Sequence, residues 1–331
     1  MNTNGFAKLA LTSAGALVLA TAGACNSQVA SPGASSVPAQ PGLIVASDIE
    51  LPDLSPGDIY AINPDGTGKA YLTRGKVTGK ANGSPAWSFD GRKVAYASNQ
   101  SGNLVIWTMD ANGDNPKQLT SSGGFQPAFS PDGTSIVYDG LQPGQRELQR
   151  EVWAMNSNGT NQTRLTTTTV SATTRNGVTF TNSSLASYSP DGTKIVYAST
   201  QSGRIEIWVM NANGTNQTQL TFPGNTDAPD ANAPAWSPDG TKIAFWSGYE
   251  NEGGNIWVMN PDGTGRTQLT FVAFGTGVNS DNPNWSPDGR IIFISNRVSG
   301  PAQTWIINAD GSNPRVLLSS NYGGGRRPWR K

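Results

Sequence analysis

Histidine is absent from this chain of 331 residues, and cysteine occurs once, at position 25. Without histidine there is no Ser-His-Asp triad, no histidine acid–base catalysis and no metal site with an imidazole ligand. A single cysteine forms no internal disulfide and builds no thiolate metal site. The site chemistries that stay open are carboxylate catalysis and calcium bound by oxygen ligands. We therefore predict no enzyme activity, no cofactor and no metal site.

Net charge is absent as well, because 23 Lys and Arg residues balance 23 Asp and Glu residues. A chain without a basic field does not hold a nucleic-acid backbone by electrostatic attraction. The basic tail is too short to change this, since it contains only Arg326, Arg327, Arg330 and Lys331. We expect no nucleic-acid partner.

No apolar run is long enough for a good membrane span. Residues 1–24 are typical of a secretory signal, with Lys8 followed by an apolar stretch from Ala14 to Ala24 that is rich in Ala, Gly and Thr. The run ends in Ala22-Gly23-Ala24-Cys25, which resembles the bacterial lipobox, although Ala22 stands where Leu is usual. The resemblance implies cleavage before Cys25 and lipidation of its thiol. A stray cysteine behind an ordinary secretory signal is the alternative.

Under the lipobox interpretation the protein is exported and lipid-anchored at the cell envelope. Asn26, not Asp, follows the cysteine. In a Gram-negative host this favours the outer membrane, facing the periplasm or the cell surface. Residues 26–41 are small, polar and rich in Ser and Pro, so residues 25–41 are predicted to be a lipidated cysteine and a flexible tether. Residues 42–331 are predicted to form one folded domain.

Internal repetition dominates residues 42–331. The pattern reads Pro-x-Trp-Ser-Pro-Asp-Gly, an apolar run, Ile-Trp-Val-Met-Asn, x-x-Gly-Thr and Gln-Leu-Thr, most clearly from Pro234 and again from Asn255. One anchor aromatic begins each copy, with spacings of 42, 59, 48, 49 and 44 residues: Trp87, Phe129, Tyr188, Trp236, Trp285 and Trp329. Periods of this length suit one four-stranded propeller blade per repeat.

Each copy divides into four short strands, A to D. Strand A carries the anchor aromatic, strand B reads like KVAYAS, strand C like IWVMN, and strand D ends in Leu-Thr. Strand C is apolar in both alternating registers, with Ile256 and Val258 on one side and Trp257 and Met259 on the other. A sheet with one wet face would alternate apolar and polar residues. Two apolar faces predict neighbouring sheets on both sides, as in a propeller.

The A–B turns read Ser-Pro-Asp-Gly in four copies, from Ser130, Ser189, Ser237 and Ser286. Proline presets φ at the second turn position, and glycine tolerates the fourth. Because every copy has them, these Ser and Asp residues are explained by turn chemistry rather than by catalysis.

The first copy is incomplete, and an extra strand A stands near the C-terminus. Five copies are complete, whereas residues 42–47, 58–63 and 71–73 match strands B, C and D of a copy without strand A. Arg326–Trp329 matches a strand A with no blade after it. We therefore predict an all-β, six-bladed β-propeller of four-stranded antiparallel blades, closed by pairing of its N- and C-terminal strands, which removes open sheet edges.

These repeats resemble the TolB-type β-propeller repeat, which also occurs in the propeller halves of dipeptidyl-peptidase-like proteins. The resemblance covers residues 42–329 and implies a cell-envelope protein partner. Only 16 residues separate Cys25 from Gly42, too few for the N-terminal α/β domain of TolB, so we expect a propeller without it. The related oligogalacturonate lyases use histidine-bound metal, which this chain lacks.

Long connections fall only on the end that carries the B–C and D–A loops, and variable loops on a rigid scaffold commonly carry function. The loops span residues 140–150, 167–182, 222–232, 248–254 and 271–281. Their aromatic and charged side chains are the predicted binding face, although the aromatics could instead pin the loops to the propeller: Arg146, Arg150, Phe180, Phe222, Asp227, Asp230, Tyr249, Glu252, Phe271, Phe274 and Asp281.

Three functions fit these features. The first is a non-catalytic, monomeric binding module that presents a propeller face to a cell-envelope protein. The second is a glycan-binding protein or a carboxylate-dependent glycan enzyme, with Asp227, Asp230, Glu252 and Asp281 as acids. The third is a purely structural envelope protein. The absent histidine and the neutral charge favour the first.

Overall fold

The computed structural model describes residues 43–48, 55–141, 149–170, 172–173, 179–222, 229–249, 253–273, 275–276, 278–298 and 301–319. Within these ranges the regular secondary structure is β-strand, apart from one helix of four residues, α1 (Gly75–Thr78). The strands fall into six groups along the sequence, each held by antiparallel pairing of consecutive strands.

Group 1 has three described strands, and the other groups have four each. Group 1 is β1 (Ile44–Ser47), β2 (Ile59–Ile62) and β3 (Ala70–Tyr71); group 2 is β4 (Asn82–Trp87), β5 (Lys93–Ser98), β6 (Val105–Asp110) and β7 (Lys117–Gln118); group 3 is β8 (Gly124–Phe129), β9 (Ser135–Gly140), β10 (Gln149–Asn156) and β11 (Thr163–Arg164). The short β12 (Ala172–Thr173) precedes group 4, which is β13 (Thr179–Tyr188), β14 (Lys194–Ser199), β15 (Glu206–Asn211) and β16 (Thr218–Gln219). Group 5 is β17 (Asp230–Trp236), β18 (Ile243–Tyr249), β19 (Gly253–Met259) and β20 (Thr267–Gln268); group 6 is β21 (Ser280–Trp285), β22 (Ile291–Ser295), β23 (Gln303–Ile307) and β24 (Arg315–Leu318).

One connection departs from the antiparallel pattern. Gln149 and Arg150 of β10 pair in parallel with Thr181 and Asn182 of β13, so groups 3 and 4 join into one nine-stranded sheet that also includes β12. Thr181 and Asn182 therefore lie along the edge of β10.

The apolar core consists of clusters between consecutive groups. In group 5, Ile256 and Val258 pack against group 6, while Met259 and Trp257 pack against group 4. The predicted two-sided burial of strand C is thereby confirmed. Similar clusters join groups 1 and 2, 2 and 3, and 3 and 4. A further cluster joins Ile44 and Tyr60 of group 1 to Ile292 and Leu318 of group 6.

This circular order of packing is that of a β-propeller, so the predicted all-β propeller class and its antiparallel sheets are confirmed. Radial stacking buries both faces of every sheet, which is why the strands are apolar in both registers. The predicted closing strand, Arg326–Trp329, lies outside the described residues, and the six-blade count stays a prediction.

Strand D is shorter than predicted, because Leu-Thr follows the strand instead of ending it. In group 2, β7 ends at Gln118, and the hydroxyl of Thr120 accepts the backbone N–H of Ile106 at 2.9 Å. The same bond recurs from Val152 to Thr166 and from Ile256 to Thr270. The threonine hydroxyl thus replaces the last backbone acceptor of the ladder.

Every described strand A contains a bulge that the sequence pattern did not predict. The residue three positions before the anchor aromatic has positive φ in groups 2 to 6, and the pairing register shifts there. The five residues have no common side-chain type: Ser84, Gln126, Leu185, Ala233 and Asn282. The ring geometry, not residue preference, therefore imposes the bulge.

Candidate binding surfaces at the two ends of the propeller

One end of the propeller carries the A–B and C–D turns, and we call it the turn end. The A–B turns there share one hydrogen-bond network. In the fifth group, Ser237 Oγ donates to Asp239 Oδ1 at 2.6 Å and accepts the N–H of Lys242 at 2.9 Å. The hydrogen bond from Ser237 lowers the pKa of the Asp239 carboxyl. This network accounts for the Ser and Asp residues as turn formers, without a catalytic role.

A cavity of about 530 Å³ opens inside the turn end. Anchor aromatics and turn prolines line it, including Tyr188, Trp236, Trp285, Pro190 and Pro238. Its size is within the usual range for ligand pockets. Sequence reasoning missed this cavity because it treated the repeated turns as scaffold only. The available signal was the alignment of apolar anchor residues with a proline two positions later, a position that Phe89 fills in group 2.

The opposite end carries the B–C and D–A connections, and we call it the loop end. Phe222 and Phe271 there are 63% and 80% exposed. Each follows the Leu-Thr of its copy directly, so the two rings occupy the same repeat position in neighbouring groups 4 and 5. Two exposed phenylalanines at equivalent positions give this end an apolar surface that the turn chemistry does not require.

An ion pair lies at the junction of the same two groups. Arg204, just before β15, donates to Asp230 at the start of β17, with 3.1 Å between Nη2 and Oδ1. Burial is the main cause that raises the pKa of the Asp230 carboxyl, and Arg204 opposes it. Asp230 therefore joins two groups and is half-buried, whereas the sequence predicted only a residue of the binding face.

Other predicted binding residues are engaged within the fold. The guanidinium carbon of Arg150 lies 4.0 Å from the centre of the Phe125 ring. Asp281 Oδ1 accepts the N–H of Asn282, at the bulge of β21. Tyr249 ends β18 and is partly exposed. Arg150 and Asp281 thus make contacts within the fold, and the part of these three residues in a binding face stays a prediction.

The remaining predicted residues are not described. Arg146, Asp227, Glu252 and Phe274 lie outside the described residues, and Phe180 lies in β13 with its side chain outside them. Their part in a binding face stays a prediction.

A row of buried polar side chains near the loop end was not found from the sequence. Its members lie two positions before the strand C aromatic, and all are at most 5% exposed: Asp58, Glu151, Glu206 and Asn255. Each accepts a hydrogen bond from the threonine of its Leu-Thr motif: Thr73, Thr166, Thr221 and Thr270. The available signal was an acid or amide in strand C that recurs with the Leu-Thr motif.

Burial raises the pKa of the Glu206 carboxyl to about 7. No group of three or more Cys, Asp or Glu side chains in the described ranges is arranged to hold a metal ion. Within the same ranges, no helix has the length and apolar character needed to cross a membrane.

Comparison with known proteins gives the same assignment of the repeats. The family described as the TolB beta propeller domain matches residues 67–185. The Tol-Pal system protein TolB of Francisella tularensis subsp. mediasiatica (strain FSC147) is 27% identical over 183 residues, which are 55% of this chain and 38% of that protein. The chain thus spans well under half the length of this curated relative.

Two solved structures place the fold more broadly. TolB from Acinetobacter baumannii superposes with a TM-score of 0.67 at 21% identity, covering 87% of this chain and 65% of that one. Oligogalacturonate lyase in complex with manganese superposes with a TM-score of 0.52 at 14% identity, covering 83% and 72%. Identities this low show the fold alone. By sequence and fold together, the chain is similar to the TolB proteins in its β-propeller, and residues 67–185 match the TolB beta propeller domain.

Proposed function

We propose that this protein is a non-catalytic binding module of the cell envelope that presents the loop end of its propeller to a protein partner. The observation that carries the proposal is the pair of exposed rings, Phe222 and Phe271, at one repeat position of two neighbouring groups. Exposed aromatic side chains beside charged residues are typical of protein interfaces. The relative named Tol-Pal system protein TolB belongs, by that name, to a system of several proteins, which supports a protein partner here.

We also propose that the propeller has six blades. Six blades are supported by the packing of group 1 against both group 2 and group 6. Within the described strands, β1 is an edge strand, yet Ile44, Val45, Ala46 and Ser47 are all fully buried. We propose that the strand predicted at residues 326–329 pairs with that edge. The protein is further proposed to be monomeric and to use no cofactor.

Lipidation of Cys25 is the proposed means of attachment. The Cys25→Ser variant should move from the membrane fraction to the soluble envelope fraction when cells are fractionated. Identical fractionation of the two proteins would remove the anchor from the proposal while leaving the binding function untouched.

Crosslinking in cells tests the partner. Wild type and the double variant Phe222→Ser/Phe271→Ser are crosslinked, purified, and compared by mass spectrometry of the captured proteins. We expect one envelope protein to be captured by wild type and lost from the double variant. Thermal unfolding of both proteins is measured in parallel, and equal Tm values show that loss of capture is not loss of the fold.

A matched control addresses the other end of the propeller. Phe89→Asp places a charge in the lining of the turn-end cavity and should leave the capture unchanged. Loss of capture from Phe89→Asp alone would move the binding site to the turn end. Binding to a glycan array by the wild type, with no captured protein, would favour the glycan-binding alternative instead.

A further inference from the structure

Glu206 differs from the other buried polar residues of its row, because half of its carboxyl has no donor. Glu206 is 2% exposed, and its Oε2 accepts from Thr221 Oγ1. Its Oε1 is buried and has no hydrogen-bond partner among the described residues. An ionised carboxylate that is buried without donors carries a large free-energy cost, so such a group favours its protonated form.

The other members of the row each have a second donor from the backbone. Glu151 Oε1 accepts the N–H of Thr168 at 2.7 Å, and Asn255 Oδ1 accepts the N–H of Val272 at 2.8 Å. Asp58 accepts the N–H of Gly75 in the same way. All three donors lie two residues after the threonine of the Leu-Thr motif.

The sequence explains why group 4 lacks this donor. The residue two positions after Thr221 is Pro223, which lies outside the described residues. Whatever its conformation, proline has no backbone N–H to donate. The backbone N–H that serves Asp58, Glu151 and Asn255 is therefore missing from the sequence of group 4.

Three charged side chains surround Glu206 on the described elements. Asp230 at the start of β17 disfavours its ionised form, and Arg204 and Arg266 favour it. Arg204 is already paired with Asp230, and Arg266 donates to the backbone carbonyls of Leu220 and Gly263 at 2.7 and 3.2 Å. Both of these cations thus already donate to other groups on the described elements.

We propose that Glu206 is a proton-binding site at the junction of groups 4 and 5, neutral in the tight junction and ionised in a looser one. Ionised Glu206 competes with Asp230 for Arg204, because its Oε1 has no other described donor. Loss of the proton therefore weakens the ion pair that joins the two groups.

Loss of the proton from Glu206 directly affects residues of the loop end. Thr221, which donates to Glu206, adjoins Phe222, and Asp230 begins β17. Capture of the partner is therefore expected to weaken as the pH rises above 7. This consequence rests on the proposed function, whereas the proton site does not.

Urea unfolding of the exported chain as a function of pH tests the proton site. The pKa of Glu206 is raised from 4.5 to about 7 in the folded state, so between these values the folded state binds one proton more than the unfolded state. Stability from this group is fully present below pH 4.5, falls as the pH rises through about 7, and stays at the lower level above it. Glu206→Gln should lose this pH dependence, since it does not titrate.

Glu151→Gln is the matched control, because Glu151 is equally buried and its two oxygens are both bonded to donors. It should keep the wild-type dependence on pH. A Glu206→Gln variant with the same pH dependence as wild type would overturn the proposal.

A second variant covers the case in which Glu206→Gln does not fold. Pro223→Ala restores a backbone N–H at the repeat position that supplies it in groups 1, 3 and 5, which should lower the folded-state pKa and end the fall in stability at a lower pH. An unchanged profile would contradict the proposal. If Glu206→Gln removes the pH dependence but capture by wild type is the same at pH 6 and pH 8, the proton site stands and its link to the partner fails.

Discussion

At the turn end, five A–B turns repeat one network, with 2.5 or 2.6 Å between the serine hydroxyl and the aspartate carboxylate in each. Near the loop end, one repeat position is filled by Asp58, Glu151, Glu206 and Asn255, and the connections beyond it vary in length. The turn end therefore carries the turn network that connects strands A and B in these five blades. The loop end carries what distinguishes one blade from the next, which is where recognition is expected.

Removal of residues 326–331 is the strongest challenge to this comparison. If Trp329 fills the anchor position of group 1, its loss costs about 3–5 kcal/mol, a large part of a typical folding free energy of about 5–15 kcal/mol. We expect a sharply lower Tm and aggregation through the exposed edge of β1. A truncated protein that melts like wild type would contradict both the shared blade and the count of six.

Trp285→Ala and Phe271→Ala compare the two ends directly with aromatic residues of one chain. Trp285 is 9% exposed and its Nε1 donates to the carbonyl of Ala235 at 3.0 Å, so its loss should cost about 3–5 kcal/mol. Phe271 is 80% exposed, so its loss should change stability by no more than ~0.5 kcal/mol. Urea midpoints measure both. Similar midpoints for the two variants would contradict the distinction between a structural turn end and an exposed loop end.

The sequence was sufficient for the framework because its signals are local and repeated. The strands around Lys194 and Trp208, and the turns that flank the pair, follow from apolar runs and turn residues that recur along the sequence. It was insufficient for those contacts of the loop end that occur in one copy only. The pairing of Arg204 with Asp230 joins two groups across 26 positions in sequence, and no periodic pattern predicts such a pair. The exposure of Phe222 and Phe271 was foreseeable, since neither residue fills a repeat position of the core.

Ser237→Ala tests a single turn of the repeated network. The hydroxyl is buried, donates to Asp239 and accepts the N–H of Lys242, so its removal should cost about 1–2 kcal/mol. Thr264→Ala is the control, because its hydroxyl bonds Asp262 in a similar local way but is exposed, and it should cost less than ~0.5 kcal/mol. Equal losses in chemical denaturation would mean that burial of the serine does not matter.

The same turns predict how stability responds to acid. The hydrogen bond from each turn serine is the leading cause that lowers the pKa of Asp132 and Asp191 below 3.8. A lowered folded-state pKa adds stability above pH 3.8 that is lost as the pH falls through the folded value. Below pH 4, the Ser130→Ala variant should therefore lose less stability than wild type as the pH falls. Urea midpoints at each pH measure this loss. An acid profile identical to wild type would show that the serine bond does not hold the carboxylate ionised.

The smallest expected effect lies between the two ends, at the bulges of strand A. Ala233 has a φ of 53°, a left-handed conformation in which a Cβ atom is crowded, and its N–H is bonded to Asn232 Oδ1 at 2.8 Å. Ala233→Gly removes the crowding and keeps that bond, so it should stabilise the protein by up to ~1 kcal/mol despite the greater freedom of glycine in the unfolded chain. Ala244→Gly is the control, since Ala244 is fully buried in β18 outside the positive-φ positions and should be destabilised by ~1 kcal/mol. If both glycine variants lose stability equally, the bulge is not strained at Ala233. If only Ala244→Gly loses stability, the ring itself sets the backbone of strand A, and side chains at the bulge are free to differ from blade to blade.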